Sequence, residues 1–173
     1  MVILAPTDKA IKGIHDIFMK QYGCKGYMCE GMVEGCLQRA MTYVYKYQPF
    51  PKIFLKAGAI LYSFITFHPF VDGKKRTAFE TTRVFLRLNG YELRVPTEEG
   101  FDFTRAIADQ KIVDVDEIAM WLRKHTRRNI VYIVESFLTK QTVKNYSNFS
   151  KRQKELLGLE GAVLVTLVQA YPD

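Results

Sequence analysis

Residues 52–88 read KIFLKAGAILYSFITFHPFVDGKKRTAFETTRVFLRL, and the alternation of character along this stretch decides the fold. Residues 52–67 are largely apolar and long enough for a buried helix, and residues 77–88 resume a helical period that Asn89-Gly90 ends. Between them, His68-Pro69-Phe70-Val71-Asp72-Gly73-Lys74-Lys75-Arg76 forms a tight loop opening onto a helix N-terminus. Such a terminus offers backbone N–H groups and the positive end of a helix dipole, which suit an anionic phosphate. Lys74, Lys75 and Arg76 add full charges to that partial one. Asp72 supplies a carboxylate for a hard divalent cation. Histidine is the residue type that exchanges protons near neutral pH, and His68 is the only one in the loop. A base, a metal ligand and an anion cradle in nine residues point to transfer of a phosphorus-centred group.

Working outward, Thr7-Asp8 caps a helix over residues 8–22 that stops at Gly23, and Gly31–Tyr45 has helical spacing. Cys24–Cys29 reads as a loop. Gln48-Pro49-Phe50-Pro51 must be extended, because two prolines bar a helix. Leu93–Pro96 is a short extended link. Helices are predicted from Thr97 to about Gln110, from Asp114 through Arg123, over 127–145 and over 151–171, the last interrupted by Gly158 and Gly161. The expected fold is all-α, a helical bundle with at most a small β-hairpin, plus a C-terminal helical extension.

Composition sets the outer bounds. At 173 residues, 48% of them apolar, the chain suits one domain with a sizeable core. The longest apolar runs, Ala57–Phe67 and Gly161–Leu167, are shorter than a membrane span, and the N-terminus does not read as a secretory signal. Cys24, Cys29 and Cys36 are odd in number and lack Cys-x-x-Cys spacing, as expected of free thiols in a cytoplasmic protein. His15 is the one plausible extra donor for a zinc site built on them, and packing is the default for His15 and His125 alike. The net charge of +7 is uneven. Residues 123–154 hold nine Lys and Arg against Glu135 alone, which makes either a solvated face or a contact surface for an acidic partner, including nonspecific nucleic acid.

The loop is similar to the signature of the Fic/Doc (Fido) family, His-Pro-Phe-x-Asp/Glu-Gly-Asn-Gly/Lys-Arg. His68, Pro69, Phe70, Asp72, Gly73, Lys75 and Arg76 match it, and the Lys75-Arg76-Thr77-Ala78 ending resembles the death-on-curing (Doc) branch. Ile14-His15-Asp16, Glu30–Gly35, Lys56–Tyr62, Leu88–Leu93 and Ala119–Leu122 have Doc-like counterparts too. The resemblance covers roughly residues 10–125, so the chain divides into a Fic/Doc domain at 1–125 and a basic extension at 126–173.

The resemblance implies a nucleotide-dependent transferase that moves phosphate, or AMP, from ATP or another nucleoside triphosphate to a hydroxyl of a target protein. His68 and Arg76 would be catalytic, the first as base and the second as stabiliser of phosphate charge. Gly73, Lys74, Lys75 and Arg76 would bind the nucleotide and Asp72 the Mg2+. Phe70 would anchor the loop, Thr77 would face the site, and Tyr45–Phe50 would form the flap that holds the target segment. The family's built-in brake, Ser/Thr-x-x-x-Glu, has no match here. The resemblance implies that a separate antitoxin supplies inhibition and that the target is a protein such as a translation factor. The alternatives are a Lys74 site too weak to need a brake, or residues 127–173 folding back across the groove as a fused inhibitor. One position departs from the pattern: Lys74 stands where the family has Asn. A carboxamide donates and accepts, whereas an ammonium only donates. The alternative reading is a catalytically impaired module that binds nucleotide or a partner without turnover.

Overall fold

The computed structural model describes residues 2–22, 26, 28, 31–45, 47–145 and 165–169. Among them seven helices follow one another: α1 (Asp8–Tyr22), α2 (Met32–Met41), α3 (Ile53–Thr66), α4 (Lys74–Leu88), α5 (Thr97–Ala108), α6 (Val115–Lys124) and α7 (Ile130–Asn145). Four short strands accompany them: β1 (Val2–Pro6), β2 (Tyr91–Leu93), β3 (Thr126–Arg128) and β4 (Val165–Gln169).

The all-α reading holds, and α3 is its centre. Ala57, Ala59, Ile60, Leu61, Phe64 and Ile65 are all buried, so this helix is enclosed by neighbours on most sides, mainly α2, α4 and α6. Gly58 is what lets α6 come close: a Cβ there would stand 3.0 Å from the Val115 carbonyl oxygen and 3.3 Å from the Ala119 nitrogen. Lys56 is an unexpected core member, wholly buried, its ammonium donating to the Ala40 carbonyl at 3.1 Å. That carbonyl lies in the last turn of α2, where orphaned acceptors and the negative dipole end favour a cation. Burial still pushes the Lys56 amine down to about 8.

Local signals explain the helix starts. Thr7 Oγ1 accepts from the Ala10 amide at 3.2 Å and opens α1, and Asp114 Oδ1 accepts from the Asp116 amide at 3.0 Å and opens α6. Strand pairing is where the sequence reading falls short. β1 pairs antiparallel with β4, Leu4 opposite Leu167, and β2 pairs antiparallel with β3, Glu92 opposite Arg127. Residues 165–169 are therefore strand, which corrects the helical reading of 151–171 over that end. The rest of that span lies outside the described residues.

Asn89 ties β1 to the bundle. Its carboxamide accepts from the Leu4 amide at 3.0 Å and donates to the Leu4 and Phe85 carbonyls, each at 2.8 Å. The residue read as a helix terminator is also a clamp. No helix among the described residues is long and apolar enough to cross a membrane.

Candidate active site

The loop between α3 and α4 is fixed from three directions. Phe70, buried at 1% exposure, stacks on His15 with centroids 4.3 Å apart and lies 6.3 Å from the Phe64 ring. The Met28 amide donates to the Pro69 carbonyl and the Val71 amide to the Gly26 carbonyl, both at 3.1 Å. His15, itself fully buried, places Nε2 3.2 Å from the Asp72 carbonyl oxygen. His15 is thus a structural post beneath the loop. Sequence reasoning assigned it generic packing, and only its place in the Ile14-His15-Asp16 match hinted at more.

Gly73 turns this loop into a helix. Its φ of 68° is left-handed, and a Cβ there would collide with the Met19 methyl. From that turn α4 begins at Lys74, three residues earlier than the sequence period indicates, so the amides of Lys74 and Lys75 lie in its first turn without an intrahelical acceptor. Asp72 is exposed, and its Oδ1 accepts from the Gly73 amide at 2.6 Å. Its other oxygen has no hydrogen bond among the described residues, so it suits Mg2+, an oxygen-seeking ion that takes one or two carboxylates and completes its shell from phosphates and water.

His68 is exposed and carries φ 51°, a left-handed conformation that costs a non-glycine residue energy. Lys74 reaches back to it: Nζ lies 2.8 Å from His68 Nδ1. The departure from the family pattern therefore contacts the candidate base directly, a contact that spacing alone could not reveal. Lys75 Nζ sits 5.6 Å from the centre of the Phe101 ring, and Arg76 is exposed. Thr77 is fully buried, and its Oγ1 has no hydrogen-bond partner among the described residues.

A second aromatic assembly adjoins the loop through Phe67, the residue before His68. Arg39 donates to Ser63 Oγ at 2.9 Å, and its guanidinium lies 5.5–5.6 Å from the rings of Phe50, Tyr62 and Phe67. It joins the Pro-rich connector to the end of α3. Upstream, Val44 and Tyr47 form a two-residue bridge, with Tyr45 at φ 48° and 98% exposed at the turn.

A Fic/DOC family model matches residues 6–86. Over 76 residues the chain is 36% identical to Toxin Doc of Mycolicibacterium smegmatis (strain ATCC 700084 / mc(2)155), a match covering 44% of the chain. It covers 55% of that relative, so the chain spans about half the relative's length. Residues 6–86 belong to the Fic/DOC family. The Toxin Doc match puts them on its Doc branch.

The Fic/DOC segment contains the whole of the loop and first turn, together with His15, Met19, Arg39 and the Tyr45 turn. Lys75's ring partner, Phe101, lies beyond it. So does His125, whose Nδ1 donates to the Trp121 carbonyl at 2.9 Å and whose Nε2 is 2.8 Å from Glu99. Arg83 pairs with Glu80 at 2.8 Å, and Arg87 lies 3.4 Å from Glu135 and over the Tyr132 ring at 4.6 Å. Cys36 is a buried free thiol, pushed up to about 11 by that burial, and no cluster of three or more His, Cys, Asp or Glu that could hold a metal ion occurs among the described residues. Cys24 and Cys29 lie outside those residues, as do Lys151, Arg152 and Lys154 of the basic segment.

Proposed function

We propose that this chain is a Doc-type transferase, moving phosphate from a nucleoside triphosphate to a Ser, Thr or Tyr hydroxyl of a protein. The observation that carries this reading is the left-handed turn at Gly73. It sets an exposed histidine and a carboxylate at the mouth of an open helix N-terminus. The amides of Lys74 and Lys75 bind phosphate oxygens, and the glycine lets the backbone approach them. Arg76 stabilises charge on the transferred and leaving phosphates, and Lys75 adds positive charge at the same turn. His68 accepts the hydroxyl proton as the oxygen attacks phosphorus. Mg2+ held at Asp72 would neutralise phosphate charge. Positioning and charge neutralisation do most of such a transfer, so the site needs few groups.

The chosen donor is ATP, and Lys75 in place of the second motif glycine favours phosphate over AMP as the group moved. The turn at Val44–Tyr47 with its exposed Tyr45 suits a target segment lying alongside as an added strand. We assign the chain a cytoplasmic, toxin-type role, acting on a protein such as a translation factor and restrained by a separate antitoxin. We assign residues 126–173 a contact role towards an acidic partner. The hydrogen bond from Lys74 to His68 also favours a second reading, in which the loop binds nucleotide without turnover.

Incubation with Mg2+, a bacterial lysate and ATP labelled separately at the α- and γ-phosphorus tests the assignment. Protein label from γ-labelled ATP alone, lost in His68→Ala, is expected. Label from the α-position would make the chain an AMP transferase. Absence of His68-dependent label from either would leave the binding module.

A further inference from the structure

Lys74 has two places for its charge. Its backbone amide lies in the first turn of α4, where the phosphate is proposed to bind, while its ammonium lies 2.8 Å from His68 Nδ1. An ammonium has donors and no acceptor, so Nδ1 must be the acceptor and the neutral ring must carry its proton on Nε2. Both imidazole nitrogens are then occupied, and the ring has no open lone pair for a hydroxyl proton. We propose that Lys74 is a positioning residue that holds His68 inactive until a phosphate in the α4 cradle draws the ammonium away. This rests on the transferase reading for its second half, the release, and on the geometry alone for the first.

The direction of the switch follows from charge. A hydrogen bond from an ammonium to a neutral imidazole is weaker than one to a phosphate oxygen, where both partners are ionised. The four-carbon lysine stem swings between the two, which the short amide found at this position in the family does not. Once the ammonium has turned, the Nδ1 lone pair is open. The target hydroxyl gives its proton to Nδ1 as its oxygen bonds to phosphorus. The bond from phosphorus to the nucleotide breaks with its electron pair on the leaving oxygen, and His68 is left as imidazolium. Without nucleotide the base cannot act, so the site is quiet when empty.

The test reads the ring directly. The full chain has three histidines, so ring-nitrogen-labelled protein gives few signals, and His68→Ala identifies those of His68. At a pH where the rings are neutral, the Nδ1 resonance of His68 in the free protein is expected upfield of its position in Lys74→Met. Saturating Mg2+ and β,γ-imido-ATP are expected to move it to the Lys74→Met position, and to leave the variant's own signal in place. Lys74→Gln serves as a second variant, and its uncharged amide is expected to give a smaller displacement than the native ammonium. Coincidence of the free wild-type signal with that of both variants overturns the hold. Backbone amide shifts of Gly73 and Lys75 report nucleotide binding separately. If they move while Nδ1 stays at its free-protein position, the release is overturned and nucleotide binding stands. If neither amide moves at saturation, the nucleotide reading itself fails and the release fails with it, while the comparison of free proteins still decides the hold.

Discussion

His68 sits in a left-handed conformation that an L-residue adopts at a cost of about 1–2 kcal/mol, next to a glycine turn that the chain could not make otherwise. Strain of this kind is tolerated where a side chain is needed in one place. His68→Gly is therefore expected to raise unfolding free energy by about 1 kcal/mol in a denaturant titration while abolishing transfer. A less stable variant would show that the backbone is relaxed as it stands. Gly73→Ala runs the other way. It is expected to cost about 1–2 kcal/mol for the left-handed φ alone, with more from the collision with Met19. Adding Met19→Ala removes the collision and not the φ cost, so the double variant recovers only the excess over that figure. Full recovery would mean that the contact, and not the turn, makes glycine necessary. At this scale the sequence was informative where residue types sufficed: the loop residues and their order could be read. The 2.8 Å contact between Lys74 and His68, and the burial of His15 under the loop, could not, because both depend on how a turn closes.

At the scale of elements, apolar periodicity located the helices of the bundle well, because α2, α4, α5 and α6 each bury a face against α3, α1 packs on α4, and α3 is buried on nearly every face. Helix ends were legible where a side chain caps them, as at Thr7 and Asp114, and less so at α4, whose start is set by the backbone of Gly73 with no side-chain cap. The paired strands were not legible. β1 and β4 are about 160 residues apart in the chain, a separation read from the register of Leu4 with Leu167, and each is too short to announce itself. Asn89 holds β1 with three hydrogen bonds, so Asn89→Ala is expected to lower stability by about 2 kcal/mol in thermal or chemical unfolding. A change under a few tenths would mean that water replaces the amide without loss. The α2–α3 joint carries a pH signature. Lys56 binds its proton more weakly folded, at about 8, than in the unfolded chain, where its ordinary value is 10.5. Between those values the unfolded chain holds more protons, so this residue's contribution rises with pH by about 3 kcal/mol in all and is flat below 8. Cys36, raised from 9.0 to about 11, opposes it in the upper part of that window. Comparison with Lys56→Met isolates the lysine: wild type is expected to gain stability relative to the variant from pH 8 to 10.5. Parallel curves would contradict the burial cost.

At the scale of the whole molecule, α7 inverts the usual pattern. Ile130, Val131, Val134, Phe137 and Leu138 are each at least half exposed, while Ser136 is buried. The sequence showed a helix with basic flanks but could not show which face turned outward, since that depends on where Gly90 and Ile133 meet. The bundle around α3 has a simpler logic: its buried residues fix the loop between α3 and α4 in place. Phe70, His15 and the strand-like bonds to residues 26 and 28 place that loop, and α4 gives it direction. Everything proposed for function depends on the loop transferring a group to another protein. The most direct measurement is mass spectrometry of lysate proteins after incubation with Mg2+ and ATP, comparing wild type with His68→Ala. The account predicts a Ser, Thr or Tyr peptide gaining one phosphate with wild type only. The same modifications at equal levels with both proteins would contradict it.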